Sequence, residues 1–390
     1  MIWFWWILSA VLGVVWLDRL IDAARGIPRI ADITQPQWDR HWKQGSAPRV
    51  TVVVPARNEE EHVEAALRSL LALDYPDYEV IAVNDRSTDR TGEILEGIAA
   101  KDASGRLRVM HVRELPAGWL GKTHAMWTAA ERATGDWILF TDADVIFHRD
   151  ALRRAIAYAE ATPADHLVVF PTHIFHSVGE RMMVAFFQTL FIFGHRAWKV
   201  QDPDAKDHVG IGAFNLVRRP VYQAIGTYSA LRLQVVDDMK LGELVKQHRY
   251  AQRTAFGPGL VRVRWAHGAM GVVDNLTKNV FAVMLFRWYR ALGAAFLLAV
   301  LNLGPFLGVL LAPGWARLGF AVATAVIALM YVGMWLHARE IWPVVFFLHP
   351  VSTVLYVYIL LRSTFLTLWR GGVVWRGTKY PLHELRKGMA

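Results

Sequence analysis

The sequence predicts an α/β domain with a mostly parallel, doubly wound sheet, flanked by an N-terminal and several C-terminal transmembrane helices. Three observations favour this class. The chain of 390 residues is 54% hydrophobic with 17 tryptophans and a mean hydropathy of +0.23, which is more apolar than a typical soluble enzyme. Uncharged segments long enough to cross about 30 Å of hydrocarbon lie near both ends. Between them, β-branched runs alternate with segments of helical period.

The N-terminal segment, residues 1–24, is predicted to be a transmembrane anchor. Met1–Leu17 carries no charge, and its opening "MIWFWW" lacks the positive start of a signal peptide, so an uncleaved anchor is favoured. Arg19, Arg25 and Arg29 follow it. Because cationic flanks stay on the inner side, the next domain is expected to be cytoplasmic, on the plasma (inner) membrane of the cell.

Residues 291–370 are predicted to hold about three transmembrane helices, and residues 371–390 a basic tail. The uncharged stretches are Ala291–Ala316, Leu318–Ala338 and Ile341–Leu361. Three crossings after a cytoplasmic domain place the C-terminus outside, whereas the lysines and arginines of the tail favour the inside. A re-entrant Ile341–Leu361 would resolve this conflict, and the side of the C-terminus stays open.

Residues 48–270 are predicted to form the α/β domain. Strands are expected at "RVTVVV", "YEVIAVND", "RLRVMHV" and "DWILF", and helices at "EEEHVEAALRSLLAL", "STDRTGEILEGIAA" and "GKTHAMWTAAERA". Ser87 or Thr88 is the expected N-cap of the second helix. The uncharged Met182–Gly194 is interpreted as a core or an interfacial helix, and residues 271–290 as an interfacial helix.

Carboxylates follow two of the predicted strands, at the edge where open α/β sheets bind ligands. Asp85 ends the second strand, and Asp142 and Asp144 follow the fourth. An Asp-x-Asp pair supplies oxygen ligands for Mg²⁺ or Mn²⁺, cations that share their coordination with substrate phosphates. The alternative is a pair of plain strand-end charges.

Asp237 and Asp238 precede the helical segment "MKLGELVKQH". They are interpreted as a strand end or loop that carries a general base, because apolar surroundings raise the basicity of a carboxylate. The alternative is a helix N-terminus with favourable acids. "GIGAFNLVRR", Gly210–Arg219, has two glycines before a strand-like run, which suit either close backbone approach to a ligand or a plain turn.

"GWLGKT" resembles a phosphate-binding loop, but Pro116 stands where a Walker A motif needs glycine. Lys122 at the start of the following helix still suits a phosphate, with a loop lysine as the alternative. The 15 histidines show no zinc spacing, and His267 is a candidate further metal ligand. The absence of cysteine excludes thiolate sites, and the charge of +9 fits an anionic membrane and substrate, without a signature for nucleic acid.

The ordered set "VVVPARNEE", "VNDRSTDRT", "GWLGK", "TDADV", "GIGAF" and "VDDMKLG" resembles the family 2 glycosyltransferases, whose nucleotide-sugar domain has the GT-A fold. With its flanking anchors and the tail "VVWRGTKY", the layout is similar to the membrane-bound hopanoid-associated, carotenoid and ceramide glycosyltransferases. Processive synthases carry a Gln/Arg-x-x-Arg-Trp motif. Here Arg287 and Trp288 are present but Met284 occupies the first position, so a single transfer is favoured over polymer synthesis.

The resemblance implies inverting, metal-dependent transfer of a sugar from a nucleotide diphosphate sugar, UDP-sugar favoured, to a hydroxyl of a membrane lipid. It implies that Asp142 and Asp144 hold the metal and that Asp238 is the general base, with the acidic Asp237 before it. Asp85 would contact the nucleotide base. The residues implied to bind the nucleotide sugar are Pro55, Asn58, Glu59, Asp85, Lys122, Asp142 and Gly212. The alternatives are a polyprenyl-phosphate glycosyltransferase, a processive polysaccharide synthase and a non-catalytic binding protein.

Overall fold

The computed structural model of the chain describes residues 2–43 and 45–388. The chain divides into two compact units. The sheet unit comprises Ile30–His173, Ala197–Arg264 and the end of the chain from Lys387. The helical unit comprises the N-terminal segment to Arg29, Ile174–Arg196 and Trp265–Arg386. These boundaries differ from the expected domain at 48–270, because residues 174–196 and the segment from Trp265 pack with the helical unit.

The helices of the described chain are numbered in order. They are α1 (Ile2–Gly26), α2 (Val63–Leu71), α3 (Thr91–Ala99), α4 (Gly121–Ala130), α5 (Ala151–Ala161), α6 (Val178–Gly194), α7 (Arg219–Ala224), α8 (Thr227–Ala230), α9 (Asp237–Gln247), α10 (Gly268–Thr277), α11 (Val280–Val283), α12 (Trp288–Leu311), α13 (Arg317–His337), α14 (His349–Arg370) and α15 (Leu382–Lys387).

The strands are numbered in the same way. They are β1 (Ala31–Asp32), β2 (Val50–Ala56), β3 (Tyr78–Asp85), β4 (Leu107–Val112), β5 (Trp137–Phe140), β6 (Val145–Phe147), β7 (His166–Phe170), β8 (Thr172–His173), β9 (Asn215–Arg218), β10 (Gln252–Phe256), β11 (Val261–Val263), β12 (Gly372–Trp375) and β13 (Thr378–Pro381).

The main sheet of the sheet unit has eight strands in the order β1-β10-β7-β9-β5-β2-β3-β4. Every neighbouring pair is parallel except the two that involve β9, which runs antiparallel to both β5 and β7. The predicted fold class, a mostly parallel α/β sheet, is therefore confirmed. A smaller sheet in the order β6-β11-β8 lies in the same unit, and β12 and β13 form a hairpin in the helical unit.

Helices cover both faces of the main sheet, because its central strands are apolar on both sides. Along β2, Val52 and Val54 belong to the apolar cluster that includes α2, α3 and α5. Val53, between them, belongs to the cluster that includes α4, α7 and α9. The period-2 alternation of a strand explains this division, and it makes the sheet doubly wound.

The β-branched runs predicted as strands form β2, β3, β4 and β5, and three of the predicted helices form α2, α3 and α4. One cap is wrong. Helix α3 begins at Thr91 with Arg90 as N-cap, not at Ser87 or Thr88. The reason is that both residues serve the preceding loop: the hydroxyl of Ser87 accepts from the backbone N–H of Asn58 at 3.1 Å, and the N–H of Thr88 donates to the Asn58 side chain at 2.8 Å.

Pro55 lies inside β2, although proline removes a ladder hydrogen bond. Strand β5 pairs with β2 only from Val50 to Val53, whereas β3 pairs along its whole length. The carbonyl of Val53 faces the β5 side, where it accepts from Thr141 at 3.1 Å. Pro55 lies two residues after Val53, so its backbone faces the same side of the strand. Its nitrogen therefore points past the end of β5, where no hydrogen bond between strands is lost.

In the described part of the helical unit, four helical segments are long and apolar enough to cross a membrane: Ile2–Arg29, Trp288–Leu311, Gly314–His337 and Pro343–Arg370. The N-terminal segment and three C-terminal segments were predicted from the sequence. The last includes α14, a continuous helix of 22 residues, which does not support the re-entrant alternative for Ile341–Leu361.

Two expectations for the helical unit need correction. Residues 271–290 do not form one interfacial helix: they divide into the end of α10, the short α11 and the start of α12, with positive φ angles at Leu285 and Phe286 that break the helical path. Met182–Gly194 belongs to α6, a longer helix of 17 residues that begins at Val178. Its Met183 and Phe186 are fully buried among the helices of this unit, which is the core alternative.

Small residues allow α1 and α13 to approach closely. A Cβ placed on Gly319 would lie 2.3 Å from the backbone oxygen of Ser9, and one on Gly13 would lie 3.1 Å from the oxygen of Gly319. Ser9 and Gly13 are one turn apart on α1, so they form a small-xxx-small face, which is a common way for apolar helices to pack.

A proline in α12 explains a buried tryptophan in α1. Pro305 has no N–H, so the carbonyl of Leu301, four residues earlier, loses its helical partner. The indole N–H of Trp16 donates to that carbonyl oxygen at 2.8 Å. Trp16 is fully buried, and its bond gives this carbonyl a partner within an apolar helix pair, where an unsatisfied acceptor is costly.

Replacing Trp16 by phenylalanine is therefore expected to lower the free energy of unfolding by about 1–3 kcal/mol, because the Leu301 carbonyl is left unsatisfied. Unfolding in detergent micelles would measure this loss. Trp3→Phe is the matched control on the same helix, since Trp3 is 77% exposed. In a Pro305→Ala background, which restores an N–H, the loss should shrink. Equal losses in both backgrounds would contradict the account.

Candidate active site

The first acidic pair of the site stands directly beyond β5, as the sequence predicts. The hydroxyl of Thr141 donates to the carbonyl of Ala213 at 2.8 Å, and the N–H of Asp142 donates to the carbonyl of Gly212 at 3.1 Å. These bonds fasten the segment that carries Asp142 and Asp144 to the segment that leads into β9. The carboxylates are thereby held at the carboxyl edge of the sheet.

The second acidic pair begins helix α9. The residues between α8 and α9 form a loop and not a strand. The pair therefore lies at the end of a loop and at the N-terminus of a helix, as two of the interpretations expected. The two carboxylate oxygens of Asp238 accept from the N–H of Met239 at 2.8 Å and from the N–H of Gly212 at 2.9 Å. Gly212 thus touches both acidic segments through its own backbone, once as donor and once as acceptor.

Lys122 joins the two acidic pairs. Its ammonium nitrogen lies 2.8 Å from Asp142 Oδ1 and 3.7 Å from Asp237 Oδ1. Burial lowers the pKa of Lys122, but the carboxylates of Asp142, Asp237 and Asp238 outweigh burial and raise it overall, so the side chain is a permanent cation. The site therefore has a built-in positive charge, placed where the start of α4 meets the acidic edge.

Asp237 is buried, whereas Asp238 is partly exposed and so accessible to a substrate. Burial, with the neighbouring Asp238 and Asp142 carboxylates, raises the pKa of Asp237 to about 6 against the opposing effect of Lys122. Burial also raises the pKa of Asp238, together with the Asp142 charge. A raised pKa gives a carboxylate more affinity for a proton, which is a property that a general base needs.

Asp144 lies among other carboxylates at this edge. Burial raises its pKa to about 7, and the charges of Asp142 and Glu59 add to the effect. Among the described residues there is no cluster of three or more His, Asp or Glu side chains suited to a metal. The two carboxylates of Asp142 and Asp144 supply oxygen donors of the kind that Mg²⁺ or Mn²⁺ takes, and substrate phosphate and water would have to complete the coordination. The metal site at this pair stays a prediction.

Asn58 and Glu59 follow β2 in a loop that is tied to the start of α3. Asn58 has a φ of +52°, a left-handed conformation that asparagine tolerates. The N–H of Glu59 donates to the hydroxyl of Thr91 at 2.8 Å. The hydrogen bond ties the loop to the start of α3, and the Glu59 carboxylate is close enough to Asp144 to affect its pKa. Neither residue was placed at the site by the sequence alone, since only the resemblance implied them.

Asp85 ends β3, where it was predicted, and is buried. Both of its oxygens accept from its neighbour Arg86, at 2.7 Å from Nε and 3.0 Å from Nη2. A Cβ on Gly121 would lie 2.4 Å from the Asp85 carboxylate, so Asp85 packs against the first residue of α4, directly before Lys122. Arg86 was not predicted, although "NDR" is visible in the sequence.

For Gly210 the sequence left open a close approach to a ligand or a plain turn, and the contacts of this residue give another reason for glycine. A Cβ on Gly210 would lie only 1.7 Å from the backbone oxygen of Asp238, so the glycine admits the backbone of α9. Gly212 faces the site itself, since its Cβ would lie 2.4 Å from Asp142 Oδ2. The two glycines of "GIGAF" therefore allow the two acidic segments to meet.

Gly210→Ala is expected to lower the free energy of unfolding by about 1–3 kcal/mol, because the methyl group can be accommodated only by moving backbone. Gly97→Ala is the matched control. Gly97 lies inside α3 with no atom within 4 Å of its Cβ position, so alanine there should stabilise by about 0.5–1 kcal/mol. Thermal unfolding measures both, and a wild-type unfolding temperature for Gly210→Ala would contradict the contact.

Some functional candidates were missed, and one stays untested. Tyr228 donates to Asp237 Oδ2 at 3.3 Å from the neighbouring α8, a contact that no motif announces. His267 precedes α10 in the helical unit, and its role as a metal ligand remains a prediction.

Comparison with known proteins identifies the class. Residues 51–226 match the model of the family described as Glycosyl transferase family 2. The chain is 24% identical over 341 residues to the 4,4'-diaponeurosporenoate glycosyltransferase of Staphylococcus aureus (strain bovine RF122 / ET3-1), covering 86% of this chain and 89% of that protein. The same enzyme from strain USA300 is 24% identical over 342 residues, with the same coverage.

The fold also has a solved counterpart. It is similar to the mannosyltransferase PcManGT from Pyrobaculum calidifontis, solved in complex with GDP-Man and Mn²⁺, with a TM-score of 0.55 and 19% identity over 94% of this chain and 99% of that one. The protein thus carries a glycosyltransferase family 2 domain with a GT-A-like fold, and it is a glycosyltransferase. In particular, it is related at low identity to a carotenoid glycosyltransferase.

Proposed function

We propose that the protein transfers one sugar from a nucleotide diphosphate sugar to a hydroxyl group of a membrane lipid, with inversion at the anomeric carbon. The observation that carries the proposal is the cluster at the carboxyl edge of the sheet, in which Lys122 links Asp142 to Asp237 and Gly212 links Asp142 to Asp238. Lys122 and Asp142 suit a pyrophosphate and its cation, and Asp238 suits proton removal.

The donor would bind with its pyrophosphate beside Lys122 and the Asp142–Asp144 pair. The Lys122 ammonium is largely buried and held in place by Asp142 and Asp237, so it can neutralise negative charge that develops on the leaving nucleoside diphosphate. A Mg²⁺ or Mn²⁺ ion held by Asp142 and Asp144 would supply further charge neutralisation for that leaving group. Pro55 lies in the last part of β2, Asn58 follows that strand and Asp85 ends β3. These three residues remain the proposed contacts of the nucleoside.

Asp238 is the proposed general base. Its oxygens are aligned by the N–H groups of Met239 and Gly212, and each carboxylate oxygen keeps a lone pair for an incoming hydroxyl. Asp238 would take the proton as the acceptor oxygen attacks the anomeric carbon from the face opposite the leaving group. A single displacement of this kind inverts the configuration. Asp237, buried between Lys122 and Tyr228, would hold Lys122 in place.

A lipid acceptor is proposed from the membrane character of the chain. The described residues include four segments long and apolar enough to cross a bilayer, and a related protein is named for transfer to a carotenoid. A hopanoid, carotenoid or sphingolipid-like acceptor in the plasma (inner) membrane fits these features, with the sheet unit on the cytoplasmic side. A UDP-sugar is the favoured donor.

The test is a transfer assay with the full chain in liposomes. Isotope-labelled UDP-sugars and GDP-mannose are offered singly with Mg²⁺ or Mn²⁺, and each liposome contains one acceptor class: hydroxylated hopanoid, carotenoid, ceramide or polyprenyl phosphate. We expect label in the organic phase with one donor and a hydroxyl-bearing lipid, and a product of inverted configuration. Transfer to polyprenyl phosphate alone, or none with any pair, would refute the proposal.

A further inference from the structure

Three polar side chains lie buried beneath helix α9, on a face of the sheet where they adjoin apolar side chains. His166, Asn215 and Gln252 are 0%, 1% and 1% exposed and come from β7, β9 and β10. Gln252 pairs with His166 in the parallel register, and Asn215 stands opposite Val168, two residues along β7. Their neighbours on this face include Val217 and the α9 residues Leu241 and Val245.

The three side chains form a continuous chain of hydrogen bonds. Gln252 Nε2 lies 2.7 Å from His166 Nδ1. His166 Nε2 is bonded to Asn215 Oδ1, and Asn215 Nδ2 donates to the backbone oxygen of Asp238 at 3.4 Å. At the other end, Gln252 Oε1 accepts from the N–H of Val209 at 3.0 Å.

Backbone groups at the two ends fix the direction of every bond. The Val209 N–H can only donate, so Gln252 presents its oxygen there and its amide nitrogen to His166 Nδ1. His166 Nε2 must then carry the proton and donate to Asn215 Oδ1. This leaves the Asn215 amide nitrogen facing the Asp238 carbonyl, which can only accept. Burial lowers the pKa of His166 to about 4, so the ring is neutral at physiological pH, as the chain of bonds requires.

The same network ties the glycine-containing segment to α9. Gln252 Nε2 also lies 3.1 Å from the Val209 oxygen and 3.2 Å from the Gly242 oxygen. A Cβ on Gly242 would lie 2.2 Å from the Val209 oxygen, so backbone meets backbone here as it does at Gly210. Val209 directly precedes Gly210, and Gly212, three residues after Val209, donates to the Asp238 carboxylate.

We propose that His166, Asn215 and Gln252 are positioning residues that set the placement of the Asp238 carboxylate relative to Gly212 and the Asp142 segment. Apolar residues would cover this sheet face at lower desolvation cost, whereas a fully bonded polar network fixes one arrangement. The inference rests on the proposed function, in which Asp238 is the base. The network touches Asp238 only through its backbone, so its members act on orientation and not on the reacting atoms.

The test compares His166→Leu with His166→Gln. A glutamine amide nitrogen can replace Nε2 and restore the donor to Asn215, whereas leucine cannot. Thr51→Val is the control, because the Thr51 hydroxyl is also buried in this sheet and donates to Glu79 at 2.7 Å, in a different bond network. We expect His166→Leu to lower kcat at least tenfold with little change in the donor KM. His166→Gln should recover most of that loss, and Thr51→Val should keep wild-type kcat.

A measurement that does not depend on catalysis distinguishes a failure of the positioning proposal from a failure of the proposed function. Amide hydrogen exchange of residues 209–214 and 237–242 should rise at least tenfold in His166→Leu and not in Thr51→Val. If the exchange rises while the wild-type chain transfers no sugar, the proposed function fails and the network stands. Unchanged hydrogen exchange, or unchanged kcat in an active enzyme, would overturn the proposal that these residues position Asp238.

Asn215→Ala provides the same readouts if His166→Leu does not fold. It removes the last link of the chain of bonds and leaves the His166–Gln252 pair intact. We expect the same fall in kcat at constant donor KM and the same rise in exchange at residues 237–242. Wild-type values for both quantities would overturn the proposal.

Discussion

Asp238→Asn is expected to lower kcat by about 10²–10⁴-fold while binding of the nucleotide sugar changes little, because the amide cannot accept the acceptor's proton at physiological pH. The amide keeps one oxygen for a backbone N–H, and the substitution leaves the proposed donor contacts at Lys122, Asp142 and Asp144 untouched. Steady-state transfer gives kcat, and titration calorimetry with the nucleotide sugar gives the dissociation constant.

Glu243→Gln is the matched control for this change. It makes the same chemical substitution on the same helix, where Glu243 pairs with Lys240 at 3.0 Å in a half-exposed position. Such pairs contribute little, so turnover and folding should stay at wild-type values. Near-normal turnover of Asp238→Asn would remove Asp238 from the role of base and would favour a phosphate acceptor, whose nucleophilic oxygen needs no base.

Metal removal is the second change with a large expected effect. Excess EDTA should lower transfer by roughly 100-fold or more, since a divalent cation contributes several kcal/mol to the neutralisation of a pyrophosphate leaving group. Added Mg²⁺ or Mn²⁺ should restore the rate. EDTA saturated with Mg²⁺ beforehand is the control, and full activity in free EDTA would refute the metal assignment.

Asp142 and Asp144 should differ in their contribution to the metal dependence of transfer. Lys122 already neutralises Asp142 at 2.8 Å, so Asp142 offers less charge to a metal. Asp144→Asn should therefore raise the half-saturating metal concentration more than Asp142→Asn does. The opposite order would make Asp142 the principal ligand. Metal titrations of the transfer rate at saturating donor would distinguish these outcomes.

Much of the fold is visible in the sequence because its strongest signals are local. The β-branched runs before Pro55, Asp85 and Asp142 form β2, β3 and β5, and the edge rule for parallel sheets places their carboxyl ends together. The uncharged segments at both ends likewise form long helices. These features depend on residue type and period, which the sequence shows directly.

What the sequence could not give depends on long-range contact. A glycine that admits a ligand, one that forms a turn and one that admits backbone look the same in a sequence, so the contact of Gly210 with the Asp238 carbonyl could not be predicted. The 13-residue Met182–Gly194 segment has no feature that assigns it to the helical unit. His166, Asn215 and Gln252 are far apart in the chain, and only strand pairing shows that they share one face.

The most direct test of the central claim is mass spectrometry of lipids from cells that make the wild-type protein and from cells that make Asp238→Asn. The account predicts one lipid class whose mass is higher by a single sugar residue only in the wild-type cells, with the unmodified lipid accumulating in the mutant. Identical lipid profiles, or a series of products that grows by repeated sugar units, would contradict single transfer to a membrane lipid.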